Sequence, residues 1–174
     1  MPGSSSTPSA LSLSSTLKKF SELSTSELYE FLALRQIVFT VEQICAYLDC
    51  DGKDQKALHL QQFETYDGAP RLVAYARIFA PGVVYEEACI GRIVTHPDVR
   101  RTGRGRALVR DAIVAIRETF GDVPIRISAQ AHLERFYEEF EFSRASDPYL
   151  EDEIPHIEML RPSPRKKAEG EDRR

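Results

Sequence analysis

Five arginines fall within the eleven residues from Arg100 to Arg110, RRTGRGRALVR, and two glycines, Gly103 and Gly105, interrupt them. A guanidinium group presents a planar fork of donors that can bind two phosphate oxygens at once. Glycine lets the backbone turn sharply and come close to a ligand. An apolar strand runs into His96-Pro97 just upstream and an apolar-periodic helix follows just downstream. The first N–H groups of that helix have no partners within it. The order strand, Arg100-x-x-Gly103-x-Gly105, helix therefore builds an anion site suited to phosphate. The competing reading is a tight turn beside a solvated basic face. A P-loop needs Gly-x4-Gly-Lys-Ser/Thr and a dinucleotide fingerprint needs Gly-x-Gly-x-x-Gly; neither string occurs.

Composition narrows the function classes. With 174 residues, 42% hydrophobic and 29% charged, the chain suits one domain with a real core. Its formal charge of −4 is the wrong background for a phosphate-backbone binder, and no aromatic residues alternate with the arginines, so no nucleic-acid partner is expected. Three cysteines, Cys45, Cys50 and Cys89, give neither an even count nor metal-type spacing. No disulfide framework and no metal are expected, and a reducing, cytoplasmic setting fits. No apolar run reaches the roughly 18 residues a membrane span needs, so no membrane partner is expected either.

The elements that must position the anion site follow from periodicity. Residues 1–16 are dominated by Ser, Thr and Pro and are expected to be a disordered tail. Residues 162–174 are Pro-broken and charged, a second tail, which leaves 17–161 as the domain. Ser24-x-x-Glu27 is a capping-box pattern, and Leu28, Phe31, Leu34, Val38 and Val41 then recur at helical spacing, predicting a helix from about Thr25 to Val41. ALHLQQFET and RLVAYARIF read as strands about the turn Asp67-Gly68-Ala69-Pro70, and ACIGRIVT as a further strand. The helix after Gly103 should end near Gly121. Pro124 to Ala129 reads as a strand, Ala131 to Phe140 as a helix and His156 to Leu160 as a last strand. The result is an α/β (α+β) domain: an antiparallel meander leading to a strand, crossover helix and parallel strand, with helices covering a mixed, mostly antiparallel sheet.

Several strings in this order resemble the GCN5-related N-acetyltransferases, and within them the ElaA-type subgroup. They are Arg100-x-x-Gly103-x-Gly105, Leu34-Arg35, Val38-Phe39, Val41-Glu42-Gln43, Asp49-x-Asp51-Gly52, Val73 to Ile78, Ile90-Gly91-Arg92, Ala129 to His132, Phe136-Tyr137 and Ile154 to Ile157. The resemblance covers about residues 17–161. It implies a GNAT-type sheet with helices on both faces and direct transfer of an acetyl group from acetyl-CoA, as co-substrate, to a primary amine. The amine's identity and the oligomeric state stay open. The alternative is a CoA-binding or interaction module that keeps the fold without transfer.

The resemblance also implies roles. Backbone groups of Ile93, Val94 and Thr95 would bond the pantetheine arm, and Arg100, Arg101, Thr102, Gly103, Arg104, Gly105 and Arg106 would surround the diphosphate. Gln130 stands where many members have an asparagine touching the arm. Tyr137 stands where a tyrosine commonly protonates the departing thiolate; its other reading is a ring packed between Leu133 and Phe140. The general base stays open among Glu42, His132 and His156, with Glu42 ranked just ahead of His132. Asp49, Asp51, Asp54, Glu151, Asp152 and Glu153 read as solvated loop charge that would attract a cationic amine if the two loops met at the acceptor mouth. One departure stands out: Glu141 occupies a position where the family usually has glycine after the last helix. A left-handed backbone there would cost a non-glycine residue about 1 to 2 kcal/mol.

Overall fold

In the computed structural model, which describes residues 13–164, the chain opens with β1 (Leu13–Lys19) and α1 (Thr25–Arg35). A hairpin follows, β2 (Leu58–Tyr66) and β3 (Ala69–Phe79), and then β4 (Ala88–Thr95). Next come α2 (Arg104–Phe120), β5 (Ile125–Gln130) and α3 (Glu134–Glu138). The chain closes with β6 (Ser143–Arg144), β7 (Tyr149–Glu151) and β8 (Ile154–Arg161). The eight strands form one mixed sheet in the order β1-β2-β3-β4-β5-β8-β6, with β7 also on β8. Among the pairings, β4–β5 is parallel and the others are antiparallel.

The local reasons are legible residue by residue. Ser24 Oγ accepts from the Glu27 N–H at 3.2 Å, and the Ser24 N–H donates to the Glu27 carboxylate at 2.9 Å, which starts α1 as the capping box predicts. The helix continues past Arg35 as a π-helical stretch, Gln36–Glu42, a geometry that concentrates at functional sites. In the β2–β3 hairpin only Asp67 and Gly68 form the turn, both at positive φ (47° and 80°), while Ala69 and Pro70 already pair with Tyr66 and Thr65. Successive β3 residues from Ala74 onward face opposite ways, and a register shift at Val73 turns Leu72 to the same face as Tyr75. Ala74, Ala76 and Ile78 pack with Leu108, Ala112 and Ile116 of α2, while Leu72 and Tyr75 pack with Phe31, Leu34 and Val38 of the first helix. Helices thus cover both faces, as expected.

Three expectations change, and one is met at Glu141. Leu13 to Thr16, assigned by composition to a tail, belong to β1, which pairs with β2 from Leu13↔Glu64 to Lys19↔Leu58. Backbone bonding to a sheet edge carries this strand, and Ser15 donates to Asp111 at 2.7 Å, so little apolar surface is needed. Residues 1–12 and 165–174 lie outside the described residues. At the other boundary Ser163 is buried, its hydroxyl donating to the Asp122 carbonyl at 2.8 Å. The helix expected over 131–140 is a 3-10 turn (Ala131–Leu133) followed by the short α3. Glu141 adopts the left-handed conformation (φ 66°), held by Arg161, which donates to its carboxylate at 2.9 Å and to the Phe140 carbonyl at 3.1 Å. Among the described residues no helix is long and apolar enough to cross a membrane.

Candidate active site

The sheet is split down its middle. β4 and β5 pair only at Ala88↔Ile125 and Cys89↔Arg126, after which they diverge. From Ile90 to Thr95 the β5-facing edge of β4 therefore has no neighbouring strand. Against β3, β4 also shifts register between Tyr75 and Arg77, and Arg92 sits there at φ 51°. A bulge of this kind re-aims backbone groups. Two cavities occupy the split, about 440 Å³ toward the α1 extension and β7 and about 240 Å³ toward the start of α2. They share Ile93, Leu133 and Tyr137, so one continuous groove passes these three residues.

The α2 end of the groove brings together most of the residues expected to bind an anion. Ile93, Val94, Thr95, Arg100, Arg101, Gly103, Gly105 and Arg106 line it. Gly103 caps the helix at φ 88° with no side-chain hydrogen bond, and the first intrahelical bond runs from the Ala107 N–H to the Gly103 carbonyl. The N–H groups of Arg104, Gly105 and Arg106 precede that ladder. A Cβ on Gly105 would stand 3.8 Å from Phe136 Cζ and 4.0 Å from Thr95 Cγ2, both lining residues, so the missing side chain leaves groove space rather than relieving a clash.

The arginine side chains are less available than their count suggests. Arg100 makes a bidentate pair with Glu42 at 2.5 and 2.7 Å, and Arg106 one with Glu139 at 2.8 Å for both bonds. Arg104 turns to Glu64 on β2, and the Thr102 hydroxyl is taken by the Val99 carbonyl at 2.6 Å; neither residue lines the groove. Of the arginines on this lining, Arg100 and Arg106 are thus engaged by carboxylates.

The catalytic candidates separate clearly. Tyr137 is buried at the junction of the two cavities, edge-on to Phe136 and Phe142, and its hydroxyl makes no hydrogen bond among the described residues. Burial pushes its pKa upward, so it is a phenol, not a phenolate. Glu42, ranked first as base, is outside the groove lining, and the Arg100 hydrogen bonds hold its carboxyl below the usual range. A carboxylate so stabilised is a poor proton acceptor. His132 is exposed and also outside the lining. His156 lines the larger cavity, and its Nδ1–H donates to the Ile154 carbonyl at 2.8 Å, leaving Nε2 as an acceptor. Gln130 reaches across the split and donates to the Gln43 side chain at 3.1 Å.

Comparison with known proteins decides the family. Residues 56–161 match the profile described as an acetyltransferase (GNAT) domain. The chain is 39% identical to the protein ElaA of Escherichia coli over 143 residues, 81% of this chain and 91% of that one. The chain belongs to the GCN5-related N-acetyltransferase (GNAT) family. Among solved structures it is similar to an acyl-CoA N-acyltransferase from Pseudomonas aeruginosa, at 39% identity and a TM-score of 0.79 over 86% of this chain and 99% of that one. Escherichia coli ElaA superimposes with a TM-score of 0.77 at 36% identity over the same shares. GNAT family and fold support acyl-CoA-dependent acyl transfer.

Beside the GNAT groove lies an ion network that sequence reasoning dismissed as solvated loop charge. Arg35, fully buried, donates to Asp49 at 2.7 Å and to Asp54 at 2.9 Å. Arg77 donates to Asp51 and Asp54 at 2.8 and 2.9 Å, and Arg92 to Asp49 at 2.7 Å. Arg92 also lies over the Tyr47 and Phe39 rings. Burial opposes ionisation of Asp51, but the Arg77 hydrogen bonds and charge outweigh it and hold that carboxyl at about 2. The network pins the 43–56 loop to β3 and to the β4 bulge. The available signal was an arginine in the middle of each apolar run, Leu34-Arg35 and Tyr75-Ala76-Arg77-Ile78. Removing one member leaves buried charge uncompensated. Arg35→Leu is therefore expected to lower stability by about 3 to 5 kcal/mol, read as a lower urea midpoint; an unchanged midpoint would show that the aspartates find other partners.

Proposed function

We propose that the protein transfers an acetyl group from acetyl-CoA directly to a primary amine. The observation that carries this reading is the unpaired β4 edge, which runs from the bulge at Arg92 to the bare amino end of α2 and passes a buried tyrosine hydroxyl half-way. The N–H groups of Arg104, Gly105 and Arg106 would take the diphosphate, and backbone groups of Ile93, Val94 and Thr95 the pantetheine arm. Gly105 supports that fit, because its open side faces the groove.

The residues divide the chemistry among them. A backbone N–H of β4 would stabilise the charge that gathers on the thioester oxygen, and one fixed donor of this sort is worth about 3 kcal/mol. As the N–C bond forms and the C–S bond breaks, Tyr137 would deliver its proton to the leaving sulfur. His156 Nε2 would take the proton lost by the amine. Such acid or base help is typically worth about 10²- to 10⁴-fold. Transfer is direct because the one thiol on the lining, Cys89, is pushed by burial up to about 12 and stays protonated.

Release of free thiol from acetyl-CoA in the presence of a panel of primary amines tests this reading. Amine-dependent release is expected. Tight acetyl-CoA binding with no release for any amine would reassign the protein as a CoA-binding module.

A further inference from the structure

The wider cavity opens through a rim that carries both apolar and acidic side chains. Val41 on the α1 extension and Ile44 and Leu48 in the loop after it have relative exposures of 73%, 85% and 78%. Val83 and Val84 stand exposed in the β3–β4 loop, and Leu150 on β7 is 67% exposed. Leu48, Val84 and Glu151 all line the cavity, so these three segments border one opening. Ile44 is costly twice over: a β-branched side chain is held at φ 56°, and it is left in water. Strain of this kind gathers where it serves binding or switching.

Charge completes the picture. The three arginines of the ion network are matched by its three aspartates, which leaves Lys53 as the lysine or arginine of the lining outside it. Against it stand Glu151, Asp152 and Glu153, all exposed at the β7–β8 turn, with Asp152 and Glu153 at φ 48° and 63°. Tyr85, pushed by burial up to about 12, feels the Glu158, Tyr149 and Glu151 side chains from the neighbouring strands. The opening therefore favours a cation.

We propose that the acceptor is a polypeptide whose primary amine is flanked by apolar side chains. This deepens the acetyl-transfer reading and rests on it. A cavity of about 440 Å³ holds an amine and its nearest atoms. Val41, Ile44, Val83 and Leu150 are exposed beyond the lining in the three segments that border the opening, so a molecule extending over the rim covers them, and exposed apolar surface around an opening marks a binding face. Acidic side chains at the rim oppose an anionic membrane surface and suit a cationic peptide amine.

The test compares the full chain with an Ile44→Asn, Leu150→Ser double variant; neither residue lines the cavity, and Asn tolerates the conformation at position 44. Thiol release is measured with three acceptors: an eight-residue peptide with one free amine flanked by leucines, the same peptide with serines in their place, and n-butylamine. Wild type is expected to use the leucine peptide with kcat/KM at least ten-fold above the serine peptide. The double variant should lose about ten-fold on the leucine peptide and nothing on n-butylamine. Equal use of the two peptides by wild type, or no loss on the leucine peptide in the variant, overturns the proposal. So does sedimentation of wild type as a dimer that the double variant dissociates, which would assign the rim to a second copy. Release with n-butylamine but with neither peptide overturns the polypeptide acceptor and leaves acetyl transfer standing; no release with any amine overturns both.

Discussion

Gly105→Glu is expected to abolish acetyl-CoA binding while leaving the protein folded. The position is an ordinary helical one in the first turn of α2, and a Cβ there meets Phe136 and Thr95 only at 3.8 and 4.0 Å, normal van der Waals distances. A carboxylate near a helix amino terminus is also favourable to the helix dipole. The same side chain projects into the groove and brings a negative charge to the amides proposed to hold the diphosphate. A loss of at least 100-fold in affinity is expected, about 2.7 kcal/mol. Calorimetric titration beside a thermal melt reads both halves: affinity gone, melting temperature kept. Wild-type affinity would mean that the cofactor does not use this helix start.

Tyr137→Phe is expected to lower kcat by about 10²- to 10⁴-fold with acetyl-CoA affinity retained. The substitution is mild structurally. Phenylalanine keeps the ring that packs edge-on against Phe136 and Phe142 at 5.0 and 6.0 Å between centroids. The lost hydroxyl bonds no described residue, so its removal leaves no buried partner unsatisfied. What disappears is a proton donor at the meeting point of the two cavities. Unchanged kcat would restrict Tyr137 to a packing role.

Where a feature rests on local chemistry, the sequence announces it. Gly103, Gly105 and the apolar spacing of α2 locate the turn into that helix, and Ser24 with Glu27 locates the start of α1. Features made by distant partners stay hidden. Glu42 looks like a candidate base until Arg100, 58 residues away, is seen to hold it. Asp49 and Asp54 look solvated until three arginines from α1, β3 and β4 close over them. β1 is invisible for a different reason: LSSTLKK is mostly polar, and a strand bonded along a sheet edge needs no apolar alternation to hold its place. His156 could be named but not ranked, because its merit as an acceptor lies in a carbonyl two residues earlier that fixes which ring nitrogen carries the hydrogen.

The parting of β4 from β5 after only two paired positions has a bearing on solubility. Bare strand margins ordinarily invite other chains to join and seed aggregates. Here the unsatisfied row is turned inward and fenced by Leu133 and Tyr137, with the intact margins of the sheet elsewhere. A slender thioester arm can thread that interior seam, whereas a foreign β-ribbon meets only the walls around it.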